Sequence, residues 1–389
     1  MKILLIARGY PSKRKPRWGI FEKDQALALQ AVGHKVIYMS VELTYNWRKI
    51  GIFHTIENEM EIYRIGFPNF FTRITQKWAY KTRQKLALIL YKKIEKEKGK
   101  PDILYAHYFY NIAASIEIKK KYGLPLVVIE HWSKLMQKKL PQYMLNVGNL
   151  AYNMADRIIS VSDSLRQQIL HHFNKESLVI HNMVGNEFTT EVVSKERNVE
   201  SKVKFVSIGS LIPIKGFDIL IDAFHKSELK VKGVVINIVG KGAVIGNIEN
   251  TLQKQIIDAG LSEHIFLVGQ KGRKDIIEIL KDSDVFVLSS RAETFSVVCI
   301  EALCLGLPVI ATACGGPENF ISEQNGLLVP PNDSEALSVA MQTMYNTFSN
   351  YDKKMIAAEC RKQFSSSAIA NKLTAIFEDV INSKNVFES

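Results

Sequence analysis

Two carboxylates, Glu293 and Glu301, stand eight positions apart in SSRAETFSVVCIEAL (289–303), with the apolar run FSVVCI between them. Carboxylates so placed are either solvated helix edges or acceptors for the hydroxyl groups of a ligand. The strand VFVLSS stops at Ser289 and Ser290, and SVVCIEALCLG reads as a helix ending at Gly306. Glu293 then lies in the loop before the helix and Glu301 two turns inside it, shielded between Ile300 and Ala302. A shielded carboxylate is costly unless hydrogen-bonded, and the vicinal hydroxyls of a ribose would satisfy it with two bonds. The amides of Thr294, Phe295, Ser296 and Val297 open the helix, where phosphate is attracted. A carboxylate repels phosphate, so Glu293 is expected to serve another part of the same ligand.

Other loops offer matching chemistry. Lys215 follows SLIPI and precedes Gly216, which suits either a phosphate-binding cation or a surface lysine before a helix. Gly315, Gly316 and Pro317 form a turn before Glu318. GYPSKRKPRWG (9–19) is longer than a usual strand-to-helix connection, and its Gly19 precedes a helix start that could face phosphate. His131 ends the strand PLVVIE, with Glu130 before it, and His107 ends an earlier strand. A lone histidine is more often structural, but the carboxyl end of a parallel strand favours a site. No two carboxylates announce themselves as a glycosidase pair.

The elements that must position these groups alternate along the chain. KILLIAR (2–8), HKVIYMSV (34–41), DILYAHY (102–108), PLVVIEH (125–131), ADRIISVS (155–162) and LVIHN (178–182) read as strands. FEKDQALALQAVG and NIAASIEIKKKYG read as helices between them. A polar stretch, 186–202, is expected to be a linker. A second alternating block follows: KFVSIGS, VVINIVG, IFLVGQ, VFVLSS, LPVIAT and GLLVPP, with the helix KGFDILIDAFHK after the first strand. Strands this dense in Val, Ile, Leu and Phe belong to parallel sheets covered on both faces.

The chain of 389 residues suits two domains rather than one core, and 47% apolar with 23% charged residues indicates a folded globule. Four cysteines, none in a CxxC pair, read as reduced thiols rather than a zinc site. MKILLIARGY is too short for a signal peptide, and no run reaches the length of a membrane span, so a cytoplasmic location is expected. Residues 1–200 carry 32 Lys and Arg against 18 Asp and Glu, whereas 201–389 carry 19 against 21. The basic half implies an anionic partner.

In combination, the Glu-x7-Glu spacing, GSLIPIKGFDILIDAF, SDVFVLSS, GLPVIATACGGPENFI and NGLLVPPND resemble the family-4 glycosyltransferases. KILLIARGYP, the helix ending GHKV, DILYAHY and the strand ending at His131 match more loosely. The resemblance implies an α/β protein of GT-B fold, two Rossmann-like α/β/α domains facing a deep interdomain cleft. It implies an acceptor-side domain over 1–185, a nucleotide-sugar-binding domain over 203–355, and a helical segment over 356–389 whose end crosses back to the first domain. It also implies retaining transfer from a nucleoside-diphosphate sugar without a metal or cofactor.

Residue by residue, the resemblance makes Glu301 the ribose carboxylate and Glu293 the contact to donor-sugar hydroxyls. Thr294, Phe295, Ser296 and Val297 approach the sugar and pyrophosphate, and Lys215 binds the pyrophosphate. Gly315 and Gly316 border the donor pocket, Gln270 through Arg273 flank the base, and Gly19 and His131 lie beside the phosphates and the reacting sugar. Many relatives carry Arg where this chain has Ser210, and glycines where it has Thr294 and Ser296; Arg291 is the nearest substitute cation in sequence. His131, Lys215 and Glu293 are the expected catalytic set.

The segment 73–98 carries nine Lys and Arg, with Ile74, Trp78, Thr82, Leu86, Leu90 and Ile94 recurring every four. This amphipathic helix either lies on an anionic membrane or packs on its own sheet with a solvated basic side. The expected acceptor is a glycan or a lipid-linked sugar, as in surface polysaccharide or glycolipid synthesis. A sugar-phosphate or glucan synthase with a soluble acceptor is the alternative, and a non-catalytic sugar-nucleotide-binding protein a further one. No nucleic-acid-binding signature is present.

Overall fold

The computed structural model describes residues 1–12, 18–44, 50–68, 76–189, 202–243 and 245–388. They divide into two compact units: unit 1 comprises Met1–Asn182 and Ser366–Ser389, and unit 2 Met183–Ser365. Each is a Rossmann-like α/β domain, and together they make a GT-B fold.

In unit 1 the strands are β1 Lys2–Ala7, β2 Lys35–Thr44, β3 Gly51–Glu57, β4 Met60–Pro68, β5 Ile103–His107, β6 Leu126–Glu130, β7 Arg157–Ser160 and β8 Leu178–Val179. They form one sheet in the order β3-β4-β2-β1-β5-β6-β7-β8. All neighbours are parallel except β3 and β4. Its helices are α1 Ile20–Ala31, α2 Gln76–Lys98, α3 Phe109–Tyr122, α4 Gln142–Met154 and α5 Asp163–Phe173. Every residue of β5 and β6 is buried, because helices cover both faces of a parallel sheet.

Unit 2 contains β9 Lys204–Ile208, β10 Val235–Val239, β11 Ile265–Gly269, β12 Val285–Leu288, β13 Val309–Thr312 and β14 Gly326–Val329. They are all parallel, in the order β11-β10-β9-β12-β13-β14. The helices are α6 Phe217–Lys226, α7 Glu249–Asp258, α8 Arg273–Lys281, α9 Val297–Cys304, α10 Ser334–Thr347 and α11 Lys353–Phe364. One face of α6 buries Phe217, Leu220, Ile221 and Phe224 against Phe205, Ile236 and Met341. Each such side chain contributes about 1.5–3 kcal/mol of burial, which fixes the start of α6 and the loop before it.

The boundary falls at Asn182, short of the expected 185, because the next residues are already built into unit 2. The Val184 amide donates to the Phe364 carbonyl at 2.9 Å, and Phe188 is fully buried. Of the expected linker, 186–189 belong to unit 2 and 190–201 lie outside the described residues. The segment 356–389 is divided: α11 stays in unit 2, while the last helix, α12 Ser366–Glu388, belongs to unit 1. There it lies along α1, with Phe377 against Tyr105 at 5.0 Å and Thr374 Oγ1 2.7 Å from His34 Nε2.

Two further differences have local causes. In LVIHN only Leu178 and Val179 are in register with β7; the Ile180 amide still donates to the Ser160 carbonyl at 3.0 Å, and His181 Nδ1 then lies 2.9 Å from the Val161 carbonyl oxygen. The β3–β4 hairpin closes on Asn58 and Glu59, both left-handed (φ 49° and 61°), a turn whose twist suits paired strands. In α2 the stripe Leu86, Leu90 and Ile94 is buried against α3, β2 and β4, so its described apolar face is spent on unit 1 itself. Lys81, Lys85, Lys92 and Lys96 remain exposed; Ile74 lies outside the described residues. No helix among them is long and apolar enough to cross a membrane.

Candidate active site

In an open parallel sheet, ligands gather at the carboxyl ends of the strands where the strand order reverses. In unit 2 that point lies between β9 and β12. Lys215 follows β9 and Glu293 follows β12, and Lys215 Nζ meets Glu293 Oε1 at 2.5 Å. Ser290 Oγ donates to the same carboxylate oxygen at 2.8 Å. The Glu293 amide donates to the Cys314 carbonyl, and Ser289 Oγ to the Lys215 carbonyl. Thr312 Oγ1 donates to the Ser290 carbonyl at 2.6 Å. The loops after β9, β12 and β13 are thereby tied into one rigid edge. Gly216 is required: its φ is 62°, and a Cβ there would lie 2.0 Å from the Ser289 carbonyl oxygen.

The start of α9 is fixed from behind. Phe295 packs on Phe320 and Phe364, with ring centroids 5.1 and 5.7 Å away. A Cβ on Gly316 would lie 2.5 Å from the Phe295 Cα, so the two backbones touch. Ser296 caps α9 with φ 75° and ψ 79°, a left-handed conformation that costs a side-chain-bearing residue about 1–2 kcal/mol. The backbone thus keeps the glycine-like path although the side chain is present, and Ser296 Oγ rests on Cys299 Sγ at 3.3 Å. Glu301 is the fifth residue of α9, one turn in rather than two, and only 8% exposed. On the far side of α9, Arg361 donates to the Cys304 carbonyl, locking it to α11.

The remaining expected residues fall around this edge. Ser210 is half-buried just after β9, and Thr294 and Val297 are half-buried at the mouth of α9. The Gly315 amide donates to both oxygens of Glu318, at 2.9 and 3.0 Å, so that carboxylate, given no role in the sequence, closes the turn. Gln270 is exposed at the carboxyl end of β11, separated from β9 by β10. Arg291 does not supply the charge missing at Ser210: its guanidinium forms a two-pronged pair with Asp218, at 2.9 and 2.6 Å. Among the described residues no group of three or more His, Cys, Asp or Glu is placed to hold a metal ion.

In unit 1 the strand order reverses between β1 and β5. Gly19 opens α1 with φ 78°, and a Cβ there would lie 1.9 Å from the Gly9 carbonyl oxygen. Residues 13–17 of the preceding loop lie outside the described residues. Arg8, at the end of β1, pairs with the buried Glu22 at 2.9 Å and lies 3.7 Å over the Tyr108 ring. Tyr108 in turn lies 4.9 Å from His131, and His131 stacks on His107 at 5.5 Å with an angle of 8° between rings.

Glu130 anchors this stack. It is fully buried, and accepts from the amides of Phe109, His131 and Trp132 and from the Tyr152 hydroxyl, each at 2.9 Å. Burial pushes its carboxyl pKa up, while these four donors pull against that rise. Tyr108 has φ 62° and ψ 137°, a strained conformation for a tyrosine. It is held between its own amide bond to the Ile129 carbonyl and the Phe109 amide bond to Glu130.

Burial, aided by the Arg8 charge, pushes the His131 pKa down to about 3, while Asn182 acts the other way. His107 is driven well below the usual histidine range by burial, by His131 and by Arg8. Both rings are therefore neutral at pH 7. A group whose folded pKa is depressed gives stability above its unfolded pKa and loses it as pH falls towards the folded value. With 6.5 unfolded and about 3 folded, His131 alone withdraws about 2 kcal/mol between pH 7 and pH 5. Urea midpoints at the two pH values should show that loss, and H131N should flatten the slope.

Residues 189–359 match the family model "Glycosyl transferases group 1", and residues 23–187 match "Glycosyltransferase Family 4". The chain is 27% identical over 363 residues to the "Putative teichuronic acid biosynthesis glycosyltransferase TuaC" of Bacillus subtilis (strain 168), with 88% of each chain covered. Its fold is similar to that of a sucrose-phosphate synthase from Thermosynechococcus elongatus (TM-score 0.77, 19% identity, 98% of this chain and 99% of the other). It is also similar to Anabaena HepE solved with UDP-glucose (TM-score 0.72, 19% identity, 97% and 100% covered).

Proposed function

The chain is a glycosyltransferase of GT-B fold, and from that premise we propose that it moves a sugar from a nucleoside-diphosphate sugar to a glycan or lipid-linked acceptor, with retention of configuration. The observation that carries this reading is the Lys215–Glu293 pair at the switch point of unit 2, beside the start of α9. A cation suited to a leaving diphosphate and a carboxylate suited to sugar hydroxyls are held within one hydrogen bond of each other. Glu301, buried one turn into α9, grips the ribose. The backbone from Thr294 to Val297 follows the sugar and pyrophosphate, Ser210 and the turn at Gly315 and Gly316 close the pocket, and Gln270 borders the base.

Catalysis in this reading is orientation and charge. As the bond from the anomeric carbon to the diphosphate oxygen breaks, the acceptor hydroxyl attacks from the same face and gives its proton to the departing phosphate. Lys215 and the amides opening α9 stabilise the negative charge that develops there. Within unit 1, the neutral His131 imidazole is suited to accept a hydrogen bond from a sugar hydroxyl, and Gly19 to let the backbone approach a phosphate. The excess charge of residues 1–200 and the exposed lysines of α2 support a peripheral place on the cytoplasmic face of a membrane, where a lipid-linked acceptor would be met. TuaC's name points to teichuronic acid as the kind of product made. One observation favours the other reading, a synthase with a soluble acceptor: the described apolar stripe of α2 is buried in unit 1 rather than offered to lipid.

Thermal unfolding in the presence of UDP-glucose, UDP-galactose, UDP-N-acetylglucosamine, GDP-mannose and ADP-glucose tests the donor. One of them should raise the midpoint, and E301A should lower its affinity about 10- to 100-fold, the worth of charged hydrogen bonds. No protection by any nucleotide sugar would sink the proposal, and wild-type affinity in E301A would sink the ribose assignment alone. Transfer of the selected sugar to a lipid-linked acceptor, against transfer to soluble sugar phosphates, separates the two acceptor readings.

A further inference from the structure

We propose that Asn182 is a positioning residue that holds His131 in the tautomer with its proton on Nδ1, so that Nε2 offers a lone pair to a sugar hydroxyl. The inference rests on the reading of His131 as a site residue. Asn182 lies 51 positions away in sequence, just past β8, and is 7% exposed. Its Oδ1 is 2.9 Å from His131 Nδ1. A carboxamide oxygen only accepts, so Nδ1 must carry the hydrogen, and a neutral imidazole then keeps its lone pair on Nε2. The ring plane is fixed by its neighbours: His107 stacks parallel to it at 5.5 Å and Tyr108 packs against it at 4.9 Å. Stacking fixes the plane of the ring but not which edge carries the nitrogens, since a half-turn about the Cβ–Cγ bond exchanges Nδ1 with Cδ2 and Nε2 with Cε1. Asn182 makes that choice.

The charged and titratable groups around the ring agree with a neutral acceptor. Burial and Arg8 from the end of β1 disfavour a second proton on the imidazole. Glu130 is turned away from the ring, with its oxygens taken by three amides and the Tyr152 hydroxyl. Tyr108, itself pushed well above the usual tyrosine range by burial, remains neutral. Of these neighbours, Asn182 is the one whose hydrogen bond reaches a nitrogen of the ring and selects the tautomer.

The test uses the full chain. Two-bond ¹H–¹⁵N spectra at pH 7 should show the Nδ1–H pattern for His131 in the wild type and in N182D, and a mixture of tautomers in N182A. Because a carboxylate also stabilises the imidazolium, the His131 titration should move upward in N182D. With the nucleotide sugar selected by thermal protection, N182A should lower kcat about 10- to 100-fold with little change in donor KM, and N182D should recover part of it with its acid limb at higher pH. An unchanged Nδ1–H tautomer in N182A, or an Nε2–H tautomer in the wild type, overturns the proposal. If N182A does not fold, the N182D titration decides: an unmoved His131 titration counts against it. H131A separates the two layers, since normal turnover there removes His131 from the site while leaving the tautomer result intact.

Discussion

Replacing Lys215 by alanine is expected to lower kcat about 10²- to 10³-fold, the loss typical when one preorganised group facing a developing charge is removed. The side chain is held where its charge can act: Gly216 lets the loop approach β12, and Ser289 fixes the Lys215 carbonyl. Neither Ser210, which stands after β9, nor Arg291, which is committed to Asp218, supplies a second positive charge there. The same substitution leaves Glu293 with the Ser290 hydroxyl but without its ion-pair partner. Its effect should fall on kcat more than on donor KM, because the charge on the leaving phosphate is greatest in the transition state. Steady-state kinetics at saturating donor checks this, and normal turnover would place the phosphate site elsewhere.

The second large effect is on stability. Glu130→Ala should cost about 3–5 kcal/mol, because three backbone amides and the Tyr152 hydroxyl lose their shared acceptor inside the protein. Glu130→Gln should cost less, since one oxygen remains to accept. The amide amino group, however, must then face a donor on one side or the other. Both variants should release Tyr108 from its strained backbone and loosen His131, so activity should fall along with stability. Urea unfolding measures the first effect. A loss under about 1 kcal/mol for the alanine variant would mean that water or a rearranged loop satisfies the freed donors.

Much of the fold was legible because buried parallel strands write themselves as short runs of Val, Ile and Leu between turn residues. The same logic placed Glu293 in a loop and Glu301 within a helix, since an apolar helix packed on a sheet has few alternatives. The chain's resemblance to family-4 enzymes pointed to Lys215, and the structure sets it against Glu293. What escaped notice lay in contacts between distant residues. Asn182 reaches His131 from the loop after a strand of two residues, and nothing in HNMVG signals it. Ser290 and Glu318 look like ordinary loop residues until their partners are known. The β3–β4 turn uses Asn58 and Glu59 in place of the glycine that usually marks such a hairpin. The spacing of Leu86, Leu90 and Ile94 fitted a membrane or a sheet equally well, because periodicity reports a buried face without saying what buries it.

Unit 1 is discontinuous in sequence, and this gives its synthesis a particular order. Residues 183–365, the whole of unit 2, are synthesised before α12. At 5–20 residues per second, the first-made half waits about 10–40 s for the helix that covers α1 and the Tyr105 ring. Most of unit 2 is therefore made while unit 1 still lacks α12, and the α1 side of unit 1 stays open through that interval.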